Sequence, residues 1–264
     1  MKKYSVILAA LAMVGMVCAC EEAPIDDNNN GGGGKDNKNS FEIKVDGEFN
    51  DWTSEDIPTA ELGEIENEYP NLLVLKACGD KDNLYLYFEV KLDPDQTWAT
   101  FGVYVDSDND PSTGGVSWLW SDEGAGFEYN IESEDGFLAD HNTYAVMNDI
   151  KCYKNLGPDG VEVWGDDWLG WDENVASSFD KNAGVVRDGV AYFEISVPRN
   201  IINARKANAT VNVSAVTFKQ RTWKENINPE TGVDEGWWDW PNGGALPASE
   251  DGVGTADMLA VKLP

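Results

Sequence analysis

From Phe41 onward the chain alternates short apolar runs with stretches of Gly, Asp, Asn and Pro. The clearest run is 83–90, where Leu84, Leu86 and Phe88 alternate with Tyr85, Tyr87 and Glu89. A period of two places these sets on opposite faces of an extended chain. Residues 72–76 form a preceding run, and the Gly79-Asp80-Lys81-Asp82-Asn83 stretch between them has the chemistry of a turn. Phe41, Lys44 and Val45 open the first expected strand. Others are expected at 98–105, 127–131, 143–153, 161–164, 190–197, 210–218 and 256–263. Only 198–204, with Pro198 at a first-turn position, predicts a short helix. Many short strands with almost no helix predict an all-β fold, an antiparallel, jelly-roll-like β-sandwich with long loops.

The first forty residues follow different rules. Lys2 and Lys3 precede an uncharged, largely aliphatic stretch at 5–19, the build of a secretory signal and shorter than the roughly 20 residues a spanning helix needs. The stretch ends Val17-Cys18-Ala19-Cys20, which resembles the lipobox of bacterial lipoproteins. Ala19 supplies the small residue, so Cys20 is the expected acceptor; Cys18 would put Val17 in that place. The resemblance implies a signal peptide at 1–19, lipidation of Cys20 and anchoring to the outer membrane, with diacylation providing the two chains that stable attachment requires. Ordinary secretory cleavage leaving Cys20 a free thiol is the alternative. Residues 20–40, with four consecutive glycines among Asp, Asn and Glu, predict a flexible tether reaching about 25 Å. Residues 41–264 are then expected to form one domain.

Charge narrows the partners. Without residues 1–19 the chain keeps 48 acidic residues and 17 of its 19 basic ones, a net of -31. Such a surface repels nucleic acid and attracts cations. Hydrophobic residues at 42% and aromatic residues at 11% nevertheless suffice for a sizeable core. Beyond Cys18 and Cys20 stand Cys78 and Cys152, an even pair in an oxidising compartment. They form either a disulfide or two separate, small buried side chains.

Four motifs in order carry a family resemblance. Ile43-Lys44-Val45-Asp46-Gly47-Glu48-Phe49-Asn50-Asp51-Trp52 resembles the opening of family 9 carbohydrate-binding modules and their relatives. Asp82 to Val90 is similar to their turn and alternating strand. Val103 to Gly115 is similar to their strand and acidic loop, and Arg187 to Pro198 to their late strand ending in Pro. The resemblance implies a β-sandwich, often with structural calcium and frequently attached to glycan-degrading enzymes. Relatives of this fold bind varied ligands, so fold alone does not set function. Residues 219–248 have no counterpart in these motifs.

Two constellations point to binding. Asp106, Asp108 and Asp110 alternate in the acidic loop, a spacing that lets a turn converge hard oxygen ligands on Ca2+. Asp122 and Glu123 are candidate additional ligands. The competing reading is a solvated turn whose side chains cap backbone amides. Eleven tryptophans form the second feature. A flat indole packs against the C–H face of a sugar ring while neighbouring polar groups bond its hydroxyls. Trp164, Trp168 and Trp171, and Trp237, Trp238 and Trp240, lie among Gly and acidic residues and are the expected glycan contacts. Adjacent Trp237 and Trp238 cannot both point inward in an extended segment. Trp52 and Trp98 lie on apparent strands and are expected in the core. Catalysis has thinner support: His141 is the single histidine, and among 48 acids any carboxylate pair is unremarkable. Expectation therefore centres on a non-catalytic, calcium-supported surface lipoprotein binding a polysaccharide or oligosaccharide. Two alternatives stand beside it, an envelope lipoprotein that grips a protein partner and a polysaccharide-active enzyme.

Overall fold

A computed structural model describes residues 40–264 except 65–70, 95, 118–125, 134–136, 141–143, 148–149, 164, 179–181, 220–221, 240–241 and 249–256. The expected signal peptide, Cys20 and the expected tether up to residue 39 lie outside the described residues, as do Asp122, Glu123, His141, Trp164 and Trp240.

Period-two alternation builds two antiparallel sheets that face each other, the sandwich the sequence predicts. The first runs β1 (Thr59–Glu61), β2 (Leu72–Gly79), β3 (Asn83–Lys91), then β11 (Val190–Pro198) and β10 (Asn182–Arg187). The second has nine strands. Its main path is β15 (Asn242–Leu246), β12 (Thr210–Phe218), β4 (Trp98–Asp106), β5 (Tyr129–Ser133), β8 (Ile150–Asn155) and β9 (Trp171–Ser178). Strands β6 (Phe137–Asp140) and β7 (Tyr144–Met147) extend β4, and β16 (Leu259–Lys262) shares the edge of β12 with β15. A separate two-stranded ribbon pairs β13 (Thr222–Lys224) with β14 (Trp237–Asp239).

Leu84, Leu86 and Phe88 of β3 and Phe193, Ile195 and Val197 of β11 face Phe101, Val103 and Val105 of β4 and Val211, Val213 and Ala215 of β12. Phe88 and Phe101 meet across the gap with ring centroids 5.1 Å apart. Each buried side chain of this size contributes about 1.5–3 kcal/mol of apolar burial, which makes this layer the main source of stability.

Both outer faces are also covered. On the five-stranded sheet, Tyr85, Tyr87 and Cys78 pack under Ile43, Trp52 and Ile57. The covering segment is no strand: residues 41–45 run irregularly, and Trp52, 2% exposed, sits in a 3-10 turn, Phe49–Thr53. Glu194 fixes it there. One carboxylate oxygen accepts the Asp46 and Gly47 amides, both at 2.6 Å, and the other accepts the Trp52 indole N–H at 3.0 Å. On the nine-stranded sheet, a second cluster gathers Tyr104, Phe127, Val163, Val216 and Met258.

Three further expectations are corrected. The run 143–153 divides between β7 and β8, and 161–164 contributes only a bridge from Glu162 to Val116. Residues 198–204 form turns rather than a helix, because Pro198 still belongs to β11 and the next residue is buried Arg199. Its guanidinium donates to the carbonyls of Ala204, Asp80, Pro264 and Lys206 at 2.8–3.0 Å, and the Ala204 amide reaches back five residues to Arg199 O. With the Ile201 amide donating to Pro198 O at 3.0 Å, these i+3 and i+5 backbone bonds stand where a helix would have its i+4 ladder.

Of the two readings of Cys78 and Cys152, a disulfide or two separate side chains, the structure has the second: both are free, buried thiols. Period two explains it. Cys78 lies one residue after core-facing Ala77, on the outer face of β2, whereas Cys152 points from β8 into the space between the sheets.

Candidate cation site and aromatic arm

Strand β4 ends at Asp106, where the nine-stranded sheet gives way to the acidic loop. Val105 faces the core, so Asp106 faces outward, between Asn212 of β12 and Glu128 just ahead of β5. Buried Asp106 is met by exposed Asp108 and half-buried Glu128, and one oxygen from each lies within 4.8 Å of the others. The loop folds back on this cluster. The amides of Asp108 and Asn109 donate to Asp106 Oδ1 at 3.2 and 2.7 Å, and Asn212 Nδ2 donates to Asp106 Oδ2 at 2.8 Å. Ser107 N donates to Glu128 Oε2 at 2.7 Å, and Thr113 Oγ1 to Glu128 Oε1 at 3.1 Å. Asn109 takes a left-handed φ of 59°, a conformation Asn tolerates. A Cβ at Gly114 or Gly126 would overlap the facing backbone, so the two legs of the loop approach as closely as glycine permits.

Among the described residues no lysine or arginine pairs with the cluster. Burial pushes the carboxyls of Asp106 and Glu128 above the usual range, and neighbouring carboxylates add to it, Asp108 for Asp106 and both aspartates for Glu128. The Asn212, Asn109 and Ser107 donors pull the other way without reversing the shift. Three convergent carboxylate oxygens and no nitrogen or sulfur form a donor set suited to a hard divalent ion. These residues can hold a metal ion. Asp106 and Asp108 of the expected three do come together here; Asp110 is not part of the group, because its Oδ1 turns to Ser112 N (3.0 Å) and Oγ (2.6 Å). Glu128 takes the third place. An acid in the polar phase of the 127–131 run was its only sequence signal, since pairing with Asp106 is a matter of strand register.

The tryptophans divide. Trp168 and Trp171 are half-buried against the second cluster and meet edge-on at 5.3 Å; Trp168 Nε1 donates to Asn155 Oδ1 at 3.1 Å, and Trp171 lies 6.2 Å from Phe127. They are built into the packing. Trp237 is 57% exposed on the β13–β14 arm, so of the adjacent pair at least this indole reaches solvent. Trp238 is described only as the strand residue in register with Trp223, and Trp98 only as the first residue of β4. Trp223, not among the expected contacts, is 46% exposed. Its signal was a lone indole amid polar residues in the segment outside the recognised motifs.

A cavity of about 480 Å³ lies elsewhere, lined by Thr59, Ala60, Glu61, Pro247, Met258 and Leu259 among others. Its described lining has no indole, and the two carboxylates there, Glu61 and Glu64, belong to one short segment rather than facing each other. No protein-family model and no curated protein matches the chain.

Proposed function

We propose that this chain is a lipid-anchored, non-catalytic module of the outer membrane that binds glycan through exposed indoles and uses calcium to brace the loop after β4. The observation that carries the reading is Trp237. It is a large apolar ring left more than half exposed, and the Lys224–Asp239 ion pair (3.2 Å) beside it offers partners for hydroxyls. An indole exposed in this way costs solubility unless a ligand covers it. Trp168 and Trp171 drop to a supporting role because their faces are engaged in packing. Calcium follows from the all-oxygen donors and the acidic chain, and magnesium fits less well because it demands a tighter octahedron and keeps its waters. The resemblance to family 9 carbohydrate-binding modules points the same way.

A protein partner is the second reading, and it has its own observation. Ile227 and Val233, 48% and 57% exposed, sit on the same arm and are aliphatic, a poor match for sugar stacking and a fair one for a protein interface.

Titration calorimetry with soluble polysaccharides decides between them. Trp237→Ala should weaken glycan binding by roughly 1–3 kcal/mol with the melting temperature unchanged, the scale of one aromatic contact. Equal binding by wild type and variant, or loss of a protein partner on Ile227→Asp alone, moves the second reading ahead. The anchor is tested separately: Cys20→Ser should release the protein from the membrane fraction without detergent.

A further inference from the structure

We propose that Trp223 is a second stacking platform on the arm, set in place before any ligand arrives, and that the ring it takes is an uncharged sugar. This rests on the glycan reading and narrows it.

Three observations on the arm carry it. The first is rigidity. Asp234 accepts the Trp223 indole N–H at 2.8 Å and the amides of Asn226 and Gly236, both at 2.9 Å. One carboxylate therefore ties the indole to two turns of backbone. Gly236 provides the bed for the ring, since a Cβ there would stand 2.8 Å from Trp223 Cζ2. A side chain already fixed loses little entropy on binding, which is what distinguishes a platform from a loosely exposed ring.

The second observation is placement. Register pairs Lys224 with Trp237, so these two share a face of the ribbon. Trp223 precedes Lys224 and takes the opposite face. The arm thus has an indole on each side, two subsites rather than one continuous strip.

Charge is the third. Between Thr222 and Asp239 a single base, Lys224, stands against Glu225, Glu230, Asp234, Glu235 and Asp239, and Lys224 is already paired with Asp239. Sulfated or uronic polymers are repelled from such a surface, while a neutral ring keeps its C–H face for the indole and its hydroxyls for the carboxylates.

The test uses the full chain in a sugar-free detergent, with affinity electrophoresis in gels containing glucomannan, xyloglucan or mixed-linkage β-glucan as neutral polymers and polygalacturonate or chondroitin sulfate as anionic ones. Trp223→Ala should bind the retained neutral polymer about tenfold more weakly at an unchanged melting temperature. Trp223→Phe, which keeps a ring but loses the bond to Asp234, should fall between the two. If Trp237→Ala loses binding and Trp223→Ala does not, this inference fails and the glycan reading stands. Preference for the anionic polymers overturns the ligand class assigned here. A wild-type chain retained by none of the neutral polymers overturns the glycan reading and this inference with it. Self-association abolished by Trp223→Ala makes the arm a contact between copies and overturns the inference as well.

Discussion

Two regions of this molecule use the same local device in opposite surroundings. At the back of the five-stranded sheet, Glu194 accepts the Trp52 indole N–H and two backbone amides; on the arm, Asp234 accepts the Trp223 indole N–H and two backbone amides. Trp52 is 2% exposed and Trp223 is 46% exposed. In the first case the carboxylate serves a core, holding the covering segment where Trp52 stacks on Tyr87 at 5.4 Å. In the second it holds a ring at the surface. The same hydrogen bonds therefore stabilise a fold in one place and fix an exposed ring in the other, and solvent decides which.

The sharpest break between the two comes from removing each indole. Trp52→Ala should cost about 3–5 kcal/mol, because a buried ring leaves a cavity and Glu194 keeps a charge with one donor fewer. Chemical denaturation should register it as a lower midpoint with little change in slope. Trp223→Ala should change stability by no more than about 0.5 kcal/mol, as an exposed ring leaves no cavity. A comparable loss in both would mean that the arm belongs to the cooperative core.

The acidic cluster gives the comparison a third member, a site where carboxylates gather beyond what their donors balance. Millimolar calcium should raise the melting temperature, with a gain of about 2.7 kcal/mol when calcium stands a hundredfold above its dissociation constant. Glu128→Gln or Asp108→Ala should remove most of that increment, and Asp110→Ala should leave it. An equal calcium response in all three variants would reject the cluster as the binding site.

Smaller but more diagnostic is the sign of the pH dependence. Burial pushes Glu194 above the usual carboxyl range, against the pull of the Gly47, Trp52 and Asp46 donors. The folded state then holds its proton longer than the unfolded chain, so this group's contribution falls as pH rises from the ordinary glutamate range through the raised one. The Asn226 amide and the Trp223 indole hold Asp234 below its usual value. Its contribution is present above the ordinary aspartate range and is lost as pH falls through the lowered one. Melting curves against pH should therefore show the margin of wild type over Glu194→Gln shrinking as pH rises. The margin over Asp234→Asn should shrink as pH falls. Slopes of the same sign would remove burial as the difference between the two sites.

What could be read from the chain depended on the range of the physics involved. Strand alternation is local, and β3 and β4 follow the expected runs to within a residue. The segments at 59–61, 182–187 and 242–246 passed unnoticed, since Thr59–Glu61 and Asn182–Arg187 are short or half-exposed and become strands only by pairing with β2 and β11. The acidic loop was legible because Asp106 and Asp108 are neighbours in sequence; Glu128 was not, because only the β4–β5 register brings it there.

Residue type and spacing by themselves determined the all-β antiparallel class, the core faces of the long strands and the cation-attracting charge, since each rests on contacts among near neighbours or on a sum over all side chains. Tertiary structure alone decided that Cys78 and Cys152 lie on different faces, that Trp168 and Trp171 pack while Trp223 and Trp237 reach solvent, and that Arg199 replaces a helix with carbonyl bonds. Each of those outcomes turns on which distant strand arrives next to a residue, a choice made by the energy of closing the whole sandwich and written in no single segment.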